Sequence, residues 1–424
     1  MSNSENIVQR AGIALFDNPN EPVGGICSLA GGEPVRFRTV GDLLSDALWV
    51  TNLSFQQAFQ VRLHKNPKIK LSNFFRVDLT RIATELSIDL KNNPHKAIKI
   101  LSSIADRTID ITANLYHVYR FKDSLKKTIE DEILIDEAVS TPFINQAIDN
   151  SFKAYQNCWG PRTPGHSEYY LRFQRTTYAK LITELPIPKG EWTRIQDKCP
   201  LKNGTVKSGT ESRIFKFLED LTEKKPALLK VSVTNVDPLV AHLLDYGNGT
   251  EQREWVPVQE IAQIAAYADV TILDILVAES MDYISESLTS QISKLDASQQ
   301  AGFSFGLIAE NHLHALFSKR KVSLHGSIQT LSTARASWLR AWDRVICFSV
   351  AAEIEKNGFR VLSYGIGNIQ VSSEEKDLSK LHDLAQKLKL TSPMEMMAHI
   401  HSTADYEDLL LQNQAEEHES RAYQ

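Results

Sequence analysis

The sequence predicts a mainly α protein with two helical lobes, a small β-hairpin, an extended N-terminal arm and an acidic C-terminal tail. Three observations carry this prediction. Apolar residues recur at three- and four-residue spacing in both halves of the chain, which is typical of helices with one buried face. Proline and glycine concentrate at 186–210, as they do in linkers. Residues 1–38 have no sustained apolar period.

The N-terminal arm is predicted at 1–38 and the helical N-lobe at 39–185. The arm contains the segments DNPNEPVGG and AGGEPVRF, which are rich in residues that favour turns. Within the lobe, Asn93-Pro94 and Thr141-Pro142 each place a capping side chain before a proline at the first helical position. A further helix is predicted from Tyr169 to Leu185.

After the linker at 186–210, a helical C-lobe is predicted at 211–390 and a C-terminal helix with an acidic tail at 391–424. The segment Leu228–Val233 has the composition of a strand. A small hairpin is predicted around Gly365-Ile366-Gly367, because two short β-prone runs flank this turn.

Composition excludes several broad classes of protein. The 424 residues include 47 basic and 52 acidic side chains and are 42% apolar, so a collagen-like or wholly disordered chain is excluded. The four cysteines are widely spaced, which indicates free thiols in a reducing compartment. With no signal sequence and no run long enough for a membrane span, we expect an intracellular, cytoplasmic protein without membrane contact.

Catalytic motifs are weak in this sequence. There is no P-loop and no G-x-S-x-G elbow. Glu310 and His314 share one helix face, but His312 lies on another, so a zinc site there lacks its third ligand. Gly365-Ile366-Gly367 lacks the third glycine of a dinucleotide motif. We therefore predict no metal, no cofactor and no enzymatic activity.

Charge distribution is the more informative pattern. Three segments, 62–81, 162–180 and 312–344, are basic and hold one acidic residue each. Aromatic residues are interleaved in the first two. Arginines and lysines in such segments can contact phosphates while aromatic rings stack on bases. The predicted RNA-binding residues are Arg172, Arg175, Lys180, Lys319, Arg320, Lys321, Arg335, Arg340 and Arg344.

Helical geometry orients part of this set. If 334–350 is helical, Trp338 and Trp342 share one face, while Arg340 and Arg344 share the opposite face. We expect the tryptophans to lie in the core and these two arginines to face solvent.

This layout of two helical lobes, a joint, basic segments and terminal arms resembles nucleocapsid proteins of negative-strand RNA viruses. A helical coat protein of a small double-stranded RNA virus fits nearly as well. The resemblance implies a viral structural protein of the virion that binds the RNA backbone without sequence preference. It also implies a homo-oligomer joined through its terminal arms. Two alternatives remain. One is an intracellular helical enzyme of unrecognised family, favoured by Glu310, His314 and the turn Tyr364-Gly365-Ile366-Gly367, and the other is a helical adaptor without nucleic acid.

Overall fold

The computed structural model of this chain describes residues 9–395, with gaps at 133–140, 153–155, 159–162, 176, 179–183, 196–204, 209–215, 217–224, 239, 245–252, 284–298 and 325–326. The strands within these bounds are β1 (Ala11–Phe16), β2 (Gly25–Leu29), β3 (Val35–Phe37), β4 (Leu48–Thr51), β5 (Ile69–Lys70), β6 (Gln156–Asn157), β7 (Ser167–Arg172), β8 (Pro186–Arg194), β9 (Thr205–Val206), β10 (Ala227–Thr234), β11 (Trp255–Pro257), β12 (Asp269–Tyr283), β13 (Arg320–Leu324), β14 (Ser327–Leu331), β15 (Arg360–Gly365), β16 (Asn368–Ser373) and β17 (Met394–Glu395).

The helices of the described residues are α1 (Phe55–Gln60), α2 (Leu79–Glu85), α3 (Pro94–Tyr116), α4 (Leu125–Glu132), α5 (Pro142–Ser151), α6 (Ala241–Leu244), α7 (Val258–Ala265), α8 (Gln299–Leu316), α9 (Ala334–Lys356) and α10 (Leu378–Lys387). Together with four sheets, they make a mixed α/β protein. The prediction of a mainly α chain with two helical lobes is therefore wrong.

The N-terminal sheet, here called sheet I, has the strand order β3-β2-β1-β4-β5. Strand β1 pairs antiparallel with β2 and parallel with β4, and β4 pairs parallel with β5. On one face of the sheet, apolar side chains such as Ile13 pack with those of α3 and α8. On the other face, Ala14 and its neighbours pack around Ala58 of α1. Alternate residues of each strand thus enter two different cores.

The predicted N-terminal arm is wrong for its described part. Ala11, Ile13 and Ala14 are fully buried in the centre of sheet I. The run AGIALF is apolar throughout, which suits a strand covered on both faces. The turn-rich segments that favoured an extended arm are the connections between the first three strands.

Two further sheets share the largest hydrophobic core. Sheet II has the order β11-β10-β12-β8, with β9 beside β12, and sheet IV has the order β17-β7-β16-β15-β6. Apolar residues of both sheets pack with α7, α9 and α10. The remaining sheet, sheet III, is the antiparallel pair β13–β14.

Two predicted non-strand segments belong to these sheets. The segment from Tyr169 to Leu185, predicted as helix, begins as β7, whose residues pair with β16. The predicted linker 186–210 begins as β8, which pairs antiparallel with β12. In both cases pairing with a distant strand outweighs the local pattern. The boundaries of the predicted lobes stay predictions.

A close backbone approach at Gly25 yields a stability prediction. A Cβ atom at this position would lie 2.0 Å from the carbonyl oxygen of Leu15 in β1. We expect Gly25→Ala to lower the free energy of unfolding by about 2–3 kcal/mol, since the strands must separate to admit the methyl group. Urea denaturation measures this change. Gly41→Ala is the control, because its nearest atom is 3.4 Å away, and equal losses in both variants would contradict the steric argument.

Candidate nucleic-acid interface

Arg172 and Arg175, two of the predicted RNA contacts, lie together in a buried ion cluster. Nε of Arg175 donates to Oε2 of Glu85 at 2.7 Å, and its Nη2 donates to Oε1 at 3.0 Å. Nη2 of Arg172 donates to Oε2 of Glu310 at 3.0 Å, and Arg175 contacts the same oxygen. All four side chains are buried. The cluster joins α2, the end of β7 and α8.

Burial and neighbouring charges shift the protonation of this cluster. Burial, reinforced by Arg172, lowers the pKa of Arg175 to about 10. Burial opposes ionisation of Glu85, but Arg175 and Arg172 outweigh it and hold the pKa of that carboxyl below its usual value. Both groups are therefore charged at neutral pH, and the arginines serve first as partners of the two glutamates.

Arg340 and Arg344 are also buried, so the expectation that they face solvent is wrong. Nε of Arg344 donates to Oε2 of Glu260 at 3.1 Å, and Arg253 donates to both oxygens of the same carboxylate at 2.7 and 3.1 Å. The guanidinium carbon of Arg340 lies 3.8 Å from the ring centroid of Phe317. Helix α9 is covered on both faces, which a single amphipathic period does not anticipate.

The other predicted contacts occupy different surroundings. Lys319 and Lys321 are exposed beside and within β13, and Nη2 of Arg320 donates to Oδ1 of Asn145 at 2.9 Å. Arg335 is half-buried at the start of α9. Lys180 lies outside the described residues. RNA contact by the nine residues stays a prediction, but the four arginines 172, 175, 340 and 344 form no exposed groove in the structure.

Glu310 and His314, the residues of the enzymatic alternative, do not form a ligand pair. Glu310 accepts from Arg172 and Arg175. Burial holds the pKa of His314 well below its usual value, and nearby cations, with Arg76 and Arg340 foremost, act in the same direction. Among the residues that the structure describes, no three side chains of His, Cys, Asp or Glu come together as metal ligands.

The predicted hairpin turn at Gly365-Ile366-Gly367 connects β15 with β16 and is held by Asp343 of α9. The Asp343 carboxylate accepts from the backbone N–H of Gly367 at 2.9 Å, from that of Ile366, and from the hydroxyl of Tyr178 at 2.5 Å. Burial, reinforced by Asp343, raises the pKa of Tyr178 far above its usual value. The Tyr178 hydroxyl therefore stays protonated and donates.

An exposed group of side chains on α1 and the following turn offers a different surface. Ser54 caps α1, with reciprocal hydrogen bonds to Gln57, and Ala58 is buried against sheet I. Phe55 and Phe59 lie one helical turn apart on α1 and remain largely outside this contact. Their exposed fractions are 47% and 56%. We call this surface the α1 patch; it comprises Phe55, Phe59, Val61, Arg62, His64 and Lys65.

The rings of the α1 patch lie close together. The centroids of Phe59 and His64 are 4.8 Å apart in a stacked arrangement, and those of Phe55 and Phe59 are 5.8 Å apart. Arg62 has a left-handed backbone with φ of 60°, which ends the helix and turns the chain back toward Phe59. Arg62 and Lys65 are exposed at its edge. The patch thus combines aromatic faces with positive charge.

The α1 patch adjoins the carboxyl ends of the two central strands of sheet I. Asn52, directly after β4, accepts from the N–H and donates to the C=O of Phe16 at 2.9 and 3.0 Å. Gln57 of α1 donates to Asn20 of the loop after β1 at 2.9 Å. The chain leaves β1 toward one side of the sheet and returns at β4 on the other side. In open α/β sheets, ligands bind preferentially at such a switch point.

The α1 patch is not among the surfaces predicted from the sequence. The predicted basic segment 62–81 contains the aromatic residues Phe74 and Phe75, but both are buried. The available signal was the four-residue spacing of Phe55 and Phe59 in FQQAFQ, directly before the basic segment. That signal is ambiguous, because two aromatics on one helix face usually belong to a core.

No described helix combines the length and the apolar character needed to cross a membrane. The predicted assembly through a free N-terminal arm is not supported, because residues 11–37 contribute three strands to sheet I.

No protein-family model and no curated protein matches this chain. Solved structures similar to the fold include the Phi29 DNA polymerase with primer-template DNA, at 9% identity and a TM-score of 0.47, covering 86% of this chain and 80% of the other. The same polymerase with single-stranded DNA has 9% identity and a TM-score of 0.45, covering 87% and 80%. The family B DNA polymerase of the hyperthermophilic archaeon Pyrobaculum calidifontis has 10% identity and a TM-score of 0.31, covering 92% and 57%.

These findings correct the function predicted from the sequence. The similar structures are DNA polymerases, not nucleocapsid or coat proteins, and the fold is not all-α. The expectation of a chain without enzymatic activity finds no support in these structures, which are of enzymes. A helical enzyme or a helical adaptor is no better supported, because both presuppose a helical fold.

Proposed function

We propose that this chain binds single-stranded nucleic acid through the α1 patch. One observation carries the proposal: three neighbouring rings, two of them well exposed, lie beside the exposed cations Arg62 and Lys65. Proteins that bind single strands without sequence preference combine aromatic stacking platforms with positive charge along the backbone.

The chemistry of the patch favours unpaired bases. A base has an exposed face for stacking on Phe55 or Phe59 only when it leaves a duplex or occurs in a single strand. Arg62 and Lys65 would neutralise phosphates and release counterions, so the affinity should fall as salt rises. Sequence preference should be small, because stacking depends on the ring face that every base presents.

The position of the patch supports the same proposal. It lies at the switch point of sheet I, where a ligand can reach the backbone and polar side chains at the ends of β1 and β4. Asn20 and Gln57, already joined by a hydrogen bond of 2.9 Å, place amide groups at the same end of the sheet. Amides of this kind can bond to base edges or sugars without fixing a sequence.

Replacing Phe59 with alanine tests the proposal. We expect Phe59→Ala to weaken binding of a fluorescein-labelled oligo(dT) 20-mer by about 5- to 150-fold, since one base–aromatic stack contributes about 1–3 kcal/mol. Fluorescence anisotropy gives the dissociation constant. The matched control is Tyr283→Ala, because Tyr283 is 54% exposed but belongs to β12, away from the patch.

Arg62 provides a second readout on the same assay. Arg62→Ala should reduce the slope of log affinity against log salt by about 0.7, the value for one phosphate contact on a single strand. Unchanged affinity in Phe59→Ala together with an unchanged salt slope in Arg62→Ala would remove the α1 patch as the binding surface. Equal losses in Tyr283→Ala would point to a general effect on the protein.

A further inference from the structure

The net negative charge of the chain comes from its C-terminal segment, residues 396–424. This segment contains one arginine, Arg421, and six acidic residues, namely Asp405, Glu407, Asp408, Glu416, Glu417 and Glu419, so its formal charge is −5. The whole chain also has a formal charge of −5. Residues 1–395 are therefore neutral in sum, and the segment, which lies outside the described residues, is a concentrated anion.

The same segment carries apolar side chains among its acids. Tyr406 and the run Leu409-Leu410-Leu411 lie between Asp405 and Glu416. The α1 patch has the complementary character, with exposed Phe55, Phe59 and Val61 beside Arg62 and Lys65. Apolar contact and opposite charge are thus available on the same two partners, which is the complementarity that determines specificity at protein interfaces.

The attachment of the segment makes an intramolecular contact favourable. Glu395 is fixed in β17, where it pairs with Tyr169 of β7. Asp405 and Glu419 follow it by 10 and 24 residues, so the chain can extend to about 33 Å and about 79 Å at these positions. A tether of this length holds the segment at a high effective concentration, so a weak contact suffices for occupancy.

We propose that the acidic segment 405–419 docks on the α1 patch of its own chain and competes there with nucleic acid. The rings and cations that would stack on bases and contact phosphates instead contact the leucines and carboxylates of the segment. The competition rests on the proposed function of the patch, whereas the docking itself does not. The contact would set a threshold, so that strands bind when they displace the segment.

Zero-length cross-linking of the intact chain with a carbodiimide tests the docking without nucleic acid. We expect an amide bond between Lys65 and a carboxylate of 405–419: the carboxylate adds to the carbodiimide, and the Lys65 amine then attacks the acyl carbon and displaces the urea, which carries away the carboxylate oxygen. The exposed pair Lys189 and Asp282, 3.0 Å apart, is the positive control in the same sample. Mixing equal amounts of ¹⁴N- and ¹⁵N-labelled protein separates contacts within one chain from contacts between chains, and a purely intermolecular product overturns the proposal.

Neutralising the tail in the full-length chain tests the competition. The variant Asp405→Asn, Glu407→Gln, Asp408→Asn, Glu416→Gln, Glu417→Gln and Glu419→Gln should bind the oligo(dT) 20-mer about 10-fold more tightly. Replacing the exposed acids Glu375 and Asp383 with their amides is the control and should leave the affinity unchanged. Addition of the oligonucleotide should also remove the cross-link to Lys65.

Absence of the Lys65 cross-link, with Lys189 and Asp282 joined, together with unchanged affinity of the neutralised variant, overturns the docking. In that case a loss of affinity in Phe59→Ala would still support the proposed function. Conversely, a cross-link in the wild-type protein, together with a neutralised variant that binds no oligonucleotide, would support the docking and overturn the proposed function. The two ideas are thus distinguishable.

Discussion

Replacing Glu260 with glutamine is expected to lower the free energy of unfolding by about 3–5 kcal/mol. Glu260 is buried on α7 and accepts hydrogen bonds from Arg253 and Arg344. Without its negative charge, two guanidinium groups would remain in the interior with their mutual repulsion uncompensated. The amide of glutamine also has an NH₂ donor in place of one acceptor oxygen of the carboxylate. This donor would face the guanidinium donors of Arg253 and Arg344.

Urea denaturation at pH 7 measures this change. The control is Glu254→Gln, because Glu254 is a 62% exposed side chain whose partner is Lys230 at 3.1 Å. An exposed pair contributes about 0–1 kcal/mol. A loss below about 1 kcal/mol in Glu260→Gln would mean that Arg253 and Arg344 find other acceptors.

The same carboxylate predicts an acid dependence of stability. Burial alone would raise the pKa of Glu260, but Arg253 and Arg344 lower it to about 2. Because the folded pKa lies below the ordinary glutamate value, the stabilisation is complete above about pH 4.5 and is lost as the pH falls toward 2. Wild-type stability should therefore decrease through this window more steeply than that of Glu260→Gln, as measured by urea midpoints at pH 2.5, 3.5 and 4.5.

Replacing Asp343 with alanine should cost about as much, about 3–5 kcal/mol. The carboxylate satisfies the hydroxyl of Tyr178 and two backbone N–H groups of the β15–β16 turn. Each buried donor left without an acceptor costs about 1–3 kcal/mol. The conformation of Ile366 also makes the turn depend on Asp343. Its φ of 54° is one that a β-branched residue rarely adopts without support from other groups.

Thermal denaturation followed by circular dichroism checks this expectation against Asp383→Ala. Asp383 is an exposed aspartate on α10, so its replacement should leave the melting temperature nearly unchanged. If Asp343→Ala melts with the wild type, the turn keeps its shape without the carboxylate and the hydrogen bonds contribute little.

Local signals in the sequence were sufficient for several helix ends. Thr141 caps α5 with proline at its start, and Asn93 does the same for α3, as the sequence predicts. The strand predicted at Leu228–Val233 lies within β10. These features depend on neighbours within a few residues, which a single sequence displays.

The sheets could not be derived in the same way. The long strand β12 obtains its partners from β8 and β10, which are distant in the sequence. The apolar run of β1 can be identified as a central strand only once its pairing with β4 is known. Strand pairing over such sequence separations is determined by the packing of the whole chain, which outweighs the local propensity for helix or strand.

The burial of the charged side chains also could not be predicted from the sequence. The basic segments show that these side chains are positively charged, but they do not show whether the side chains are buried. The glutamates that pair with Arg175 lie 90 and 135 residues away in the sequence, so nothing near Arg175 indicates an internal ion cluster. The exposure of Phe55 and Phe59 could not be predicted from the sequence either, because exposure depends on which side chains the rest of the fold leaves uncovered.

Helix α8 covers one face of sheet I, and this has a consequence for synthesis on the ribosome. The strands of the sheet and α3 are complete by Tyr116, yet their shared core includes Phe303 and Phe305 of α8. Roughly 180 residues must be translated before α8 begins to emerge, which takes about 10–40 s at ordinary elongation rates. During that interval the nascent N-terminal unit presents an apolar face to solvent. Chaperone capture of stalled chains ending before residue 299, relieved in chains that extend beyond 316, would be the signature of this delay.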